Sequence, residues 1–148
     1  ASLRTAPSAG ARHPLETYVV VHRVDGLPPG LYRYLPVSHR LVDLGCPTDL
    51  PQRLNEGCLG QEFVSLAAAV FVWTCLPYRG EWRYQTLAHK PMLMDAGHVC
   101  QNLYLACEAM GLGTCAIAAY DQRLMDELIG VDGQDEFVVY LAPVGRPA

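Results

Sequence analysis

Three stretches are apolar at nearly every position: TYVVVHRV at 17–24, AAAVFVWTC at 67–75 and FVVYLAPV at 137–144. Side chains along a strand point alternately to its two sides, so an unbroken apolar run belongs to a strand covered on both faces. Thr17–Val24 is therefore predicted as a central strand, Ala67–Cys75 as a second buried strand and Phe137–Val144 as the last strand. Two shorter runs, LYRYLP and HRLVDL, meet at Val37-Ser38 and predict a hairpin. Between Leu93 and Met110 the period changes: Leu93, Gly97, Cys100, Tyr104, Cys107 and Gly111 recur at the spacing of one helix face, with Ala96, Leu103 and Met110 filling it. Pro91 suits the first turn, Asp95 puts negative charge near that end, and Gly111 and Gly113 stop the helix. A helix over 49–58 is predicted with Thr48 as cap and Pro51 in its first turn, its helical region closed by Gln61–Ser65. Another spans Tyr120–Ile129 with Asp121 as cap, and Arg79–Thr86 is amphipathic enough for a short one. The TCAIAA run after the glycine stop reads either as a short core strand or as a segment whose small side chains let a flat ligand reach the main-chain N–H groups. Strands and helices alternate unevenly, which predicts an α+β fold with a mixed or antiparallel sheet.

The chain has 148 residues, half of them apolar, enough for one domain with a sizeable core. Its formal charge of −4, with no cluster of Lys or Arg, argues against nucleic acid as a partner. No apolar stretch reaches the length of a membrane span, and ASLRTAPSAGARHP lacks the apolar centre of a signal peptide. The six cysteines form no C-x-x-C pair, and neither they nor the histidines show the spacing of metal ligands. Free thiols in a reducing, cytoplasmic setting are expected.

Several stretches resemble a known family. RTAPSAGARHPLETYVVV at 4–21 and DAGHVCQNLYLACEAMGLGTCAI at 95–117 are the specific ones; GLYRY at 30–34, CLGQEF at 58–63 and LAPVGRP at 141–147 add to them. Together, in this order, they resemble nitroreductase-like FMN-dependent oxidoreductases, and within them the dehydrogenase branch that oxidises thiazolines and oxazolines in modified peptides. The resemblance implies one nitroreductase-like domain over 1–148 and an intertwined homodimer with the flavin between subunits. It also implies NAD(P)H as reductant and hydride transfer through flavin N5 to or from a small-molecule substrate. It places Pro7, Ser8 and Ala9 against the flavin of the partner subunit, with Arg12 in the same loop. It puts the backbone amides of Ile117, Ala118 and Ala119 at the reactive edge of the ring. Gly145 and Arg146 fall near the cofactor end of the sheet, and Arg4, Arg12 and Arg146 are the arginines within reach of a phosphate. The long helix around Ala96, Gly97 and Cys100 would pack across the dimer.

Two features depart from that pattern. The family's N-terminal helix with its arginine motif has no counterpart ahead of Arg4, so a domain lacking that segment is expected. The azoline-oxidising branch carries a Lys-Tyr pair before the long helix; the counterpart is Pro77-Tyr78, which assigns proton donation to Tyr78 and leaves the lysine unmatched. A flavin-free relative that binds a small molecule or partner without catalysis is the alternative. Outside the resemblance, His98 with Asp95 offers a base, Cys115 a thiol and Gln61 a ligand contact or helix cap, while Glu16 and Arg33 read as ordinary strand-end charges.

Overall fold

The computed structural model describes residues 4–147. Its centre is a six-stranded sheet in the order β3-β2-β1-β4-β6-β5, antiparallel at every pairing. The strands are β1 (Leu15–Val21), β2 (Gly30–Leu35), β3 (Arg40–Asp43), β4 (Ala69–Cys75), β5 (Gly113–Thr114) and β6 (Phe137–Gly145). The helices are α1 (Leu50–Gly57), α2 (Glu62–Leu66), α3 (Pro77–Tyr84), α4 (His89–Ala109) and α5 (Gln122–Ile129). The three apolar runs are β1, β4 and β6, and they are neighbours in the sheet, as two-sided burial requires.

The β1–β4 register sets Val19 opposite Phe71 and Val20 opposite Val70, so alternate residues serve two cores. On one face Tyr18, Val20, Val70, Val72, Val138 and Leu141 pack with Leu50, Leu54, Val64, Met125, Leu128 and Ile129 from α1, α2 and α5. On the other, Leu15, Trp73, Cys75 and Ala142 meet Ala96 and Cys100 of α4. Full burial of each large aliphatic side chain stabilises by about 1.5–3 kcal/mol, so both faces hold the sheet.

Several boundaries differ from the expectation. β1 ends at Val21, because the amides of His22 and Arg23 both donate to Ala68 O at 2.9 Å and a tight Val24–Leu27 bridge follows. Asp49, not Thr48, precedes α1, and its side chain makes no capping bond. Gln61–Ser65 is not the end of α1; α2 is a separate short helix. α4 begins at His89, four residues ahead of Leu93, with Pro91 inside its first turn. TCAIAA forms no full strand: β5 has two residues, and past it Ile117 makes a lone bridge to Leu141. The Asp121 cap is present, its Oδ1 accepting the Leu124 amide at 2.9 Å. All six cysteines are free; Cys46 and Cys115 are exposed and the other four buried. Among the described residues, no helix is long and apolar enough to cross a membrane and no cluster of His, Cys, Asp or Glu is arranged to hold a metal.

Ala96 and Cys100 are each 3% exposed against their own sheet, so they cannot form a contact with a second copy. The outward face of α4 carries Leu93, Met94, Gly97, Tyr104 and Leu105 instead.

Candidate functional site

The loop ahead of β1 is tied to α4 by one buried carboxylate. Asp95, 5% exposed, accepts the Ser8 hydroxyl on Oδ2 at 2.5 Å and the Ala9 amide on Oδ1 at 3.1 Å. Ser8 Oγ in turn accepts the His13 amide at 2.9 Å. Inside this clamp Gly10, Ala11 and His13 all have positive φ, at 57, 53 and 49°. Side chains beyond glycine resist that region, so the clamp holds a strained loop. Gly10 is also closely approached: a Cβ there would lie 2.7 Å from both Arg83 Cδ and the Tyr84 hydroxyl. The loop thus rests on the end of α3.

Beside it a cleft of about 470 Å³ is lined by Arg4, Pro7, Ser8, His13, Glu16, Tyr34, His39, Asp95 and Asn102, among others. Arg4 Nε is buried there without a hydrogen-bond partner among the described residues. Glu16, 8% exposed, anchors the floor through Arg79 at 2.7 Å and Arg33 at 3.2 Å. It is a buried carboxylate shared by two half-exposed arginines, not a strand-end charge. Arg79 also donates to His13 O at 3.0 Å, fixing the far end of the loop. Further along β1, burial and then the Glu136 carboxylate push the Tyr18 phenol up to about 12, so it stays protonated and donates to Glu136 at 3.0 Å.

A second loop meets α4 elsewhere. The Ala116 amide donates to the Tyr104 hydroxyl at 2.8 Å. Ile117 is pinned to Leu141 by bonds of 2.8 and 3.2 Å, which occupy both its amide and its carbonyl. Ala118 and Ala119 then stand exposed, and neither amide bonds a described residue. Gln61 holds the segment from below, its Nε2 donating to Ala119 O at 2.8 Å and Cys58 O at 2.9 Å. Asp95 and Tyr104 are nine positions apart on one helix. At about 100° and 1.5 Å per residue, the two anchors are roughly 13 Å apart and half a turn out of phase. The loops therefore grip opposite sides of α4.

The sequence model of the nitroreductase family matches residues 1–146. This chain belongs to the nitroreductase family. A Methanocaldococcus jannaschii relative, named as a candidate nitroreductase, is 34% identical over 143 residues, 97% of this chain and 70% of that protein. The crystal structure of a candidate nitroreductase from Anabaena variabilis superposes with a TM-score of 0.86 at 32% identity, covering 99% of this chain and 30% of that one. The trifolitoxin-processing protein of Rhizobium leguminosarum bv. trifolii is 29% identical over 133 residues, 87% of this chain. The chain spans only 36% of that protein's length. The α+β architecture is thus the nitroreductase fold.

Within that fold the residues singled out from the sequence divide into groups. Arg4, Pro7 and Ser8 line the first cleft, and Ala9 joins its clamp. Arg12 turns away, donating to Gly10 O at 3.1 Å and lying 5.1 Å over the Trp82 ring. Gly145 and Arg146 line a separate cleft of about 810 Å³ with Thr114, Cys115 and Arg23. Ile117, Ala118 and Ala119 border neither. Tyr78 is 73% exposed on the outer side of α3 and lines none of these clefts. The phenol that meets the loop is Tyr84, at the other end of the same helix. His98 is exposed, while Asp95 is directed to Ser8, so the two make no pair. The reading of the sequence missed Asp95 as a clamp and Tyr84 as a neighbour of the loop. The DAGH and WRY motifs hold both residues, but nothing in their spacing shows what they touch.

Proposed function

We propose that this chain is an FMN-dependent oxidoreductase that moves hydride between flavin and a small substrate, with NAD(P)H as the reductant. The observation that carries the reading is the pair of loops on opposite sides of α4: one strained and clamped, the other offering open amides beside methyl side chains. A flat ring can lie against Ala118 and Ala119 because nothing larger than a methyl group separates it from their N–H groups. An anionic group on the substrate finds Arg4, whose Nε has no acceptor among the described residues. Because one copy directs the loops apart, a ring touching both would be gripped by two copies, which supports a homodimer. The outward apolar residues of α4, with Tyr78, Trp82 and Leu87 beside it, supply a surface for that contact.

Bound FMN would supply the hydride-transfer chemistry at N5. The residues of this chain bind and orient. The Ala118 and Ala119 amides would fix the reactive edge, and donors so placed raise the ring's affinity for electrons. Pro7 and Ser8 would pack on the ring from the partner copy. Tyr84, next to Gly10, is better placed than Tyr78 to pass a proton to a substrate held over the loop.

The test is the purified chain titrated with FMN, followed by NADPH under anaerobic conditions. Flavin uptake of one per subunit and bleaching by NADPH are expected, with Tyr84→Phe slowing substrate turnover while Tyr78→Phe leaves it unchanged. No uptake at micromolar FMN would favour the flavin-free reading, in which the apolar surface serves a protein partner. That second reading draws support from the trifolitoxin-processing Rhizobium relative.

A further inference from the structure

Adjoining the first cleft, and sharing Arg4, His13, Glu16 and Pro36 with it, is a groove of about 610 Å³. Its walls carry Arg4, Arg12, Arg33 and Arg79 against a single carboxylate, Glu16. In a chain of formal charge −4 this is a local surplus of three positive charges. Glu16 cannot satisfy them all. Its Oε1 is taken by Arg79 and its Oε2 by Arg33. Among the described residues, Arg33 Nε and Arg4 Nε are both buried without a hydrogen-bond partner. A buried donor without an acceptor is costly, so the arginines of this groove are not neutralised by their protein surroundings. Guanidinium groups are planar forks that match the paired oxygens of carboxylate and phosphate.

We infer that this groove binds the carboxylate or phosphate group of an anionic substrate whose other end reaches the cleft over Ser8 and Asp95. The word substrate rests on the redox reading proposed above; the capacity to hold an oxyanion does not. Trp82 lies under Arg12, 5.1 Å from its guanidinium, and gives the site an optical reporter.

The experiment is calorimetric titration of the full chain with pyrophosphate and, separately, with succinate at low ionic strength, on FMN-free and FMN-saturated protein. Saturable binding of at least one probe in both forms is expected, with a change in Trp82 fluorescence. Arg4→Gln and Arg33→Lys should each weaken it tenfold or more; the lysine keeps the charge but loses the Nε donor. Arg53→Gln, on α1, should bind as wild type, and circular dichroism checks that each variant is folded. Pyrophosphate alone binding identifies a phosphate-bearing ligand and succinate alone a carboxylate, and either supports the site. Absence of saturable binding, or wild-type affinity in both variants, overturns it. Loss of probe binding once FMN is saturating also overturns it, because the groove would then hold the cofactor's own phosphate. Protein that takes up no FMN but still binds a probe would sink the redox reading and leave the oxyanion site standing.

Discussion

Replacing Asp95 with alanine would remove both bonds that close the loop ahead of β1, those from the Ser8 hydroxyl at 2.5 Å and the Ala9 amide at 3.1 Å. Hydrogen bonds to a charged group contribute about 1.5–3 kcal/mol each, so the gross loss is about 3–6 kcal/mol. Against it stands the strain of Ala11 and His13, whose positive φ costs on the order of 1–3 kcal/mol apiece and is relieved when the loop opens. Water also reaches the freed donors. The two sums are similar, so most of the loss is local and the global cost is about 1–2 kcal/mol. At roughly 2–4 °C per kcal/mol, Tm should fall by about 2–8 °C. The Ala9 and His13 amides should respond far more, because their protection depends on the clamp. A loss of about 3 kcal/mol in closure corresponds to about a hundredfold faster hydrogen exchange. Native-state exchange read by NMR, beside a melting curve, separates the two scales. Exchange at Ala9 and His13 within threefold of wild type, whatever Tm does, would show that Asp95 does not hold the loop.

Ala119→Val should lower FMN content per subunit at unchanged Tm, whereas Ala119→Gly keeps the amide and should retain FMN; equal flavin absorbance in both would make 118–119 an ordinary surface. A thiol reagent near pH 8 should modify two cysteines per native chain, Cys46 and Cys115, and six after denaturation; reaction of Cys100 or Cys107 in the native state would contradict the packing of α4. Burial raises Cys58 to about 11 and Cys75 to about 12, with Asp95 adding to the latter, and raises Tyr18 and Tyr120 to about 12. The native state therefore keeps protons that the unfolded chain releases, so this stability is intact below about pH 9 and declines as pH rises toward 12. Urea unfolding at pH 8, 9.5 and 11 should show the decline, and a flat profile would refute the burial of these groups.

The parts of the fold that were legible are those whose signal is local. β1, β4 and β6 announce themselves because burial on both faces leaves no polar position to break the run. The start of α4 was hidden because His89 and Lys90 are exposed and contribute nothing to an apolar period. The 113–119 segment resisted because small residues fit a strand and a loop equally well, and its shape is decided by Leu141 and Tyr104 from elsewhere in the chain. The candidate site followed the same rule. Pro7 and Ser8 could be singled out from their motif, but the partner of Ser8 lies 87 positions away and was read as a helix-end charge. Glu16 looked like a strand-end residue until Arg33 and Arg79 closed on it. Tyr78 and Tyr84 share one helix, and only the approach of Gly10 separates them.

The half-turn between Asp95 and Tyr104 has a genetic consequence. On the proposed two-copy flavin site, each copy would carry two half-sites that it cannot unite by itself, so two chains damaged in different halves should complement each other. A Ser8-defective chain and a chain with a bulky residue at 119, each without bound flavin alone, should complement when unfolded and refolded together. In a mixed pair one site receives both faulty halves and the other receives both sound ones. Random pairing would return about a quarter of the wild-type flavin content, from two proteins that separately return none.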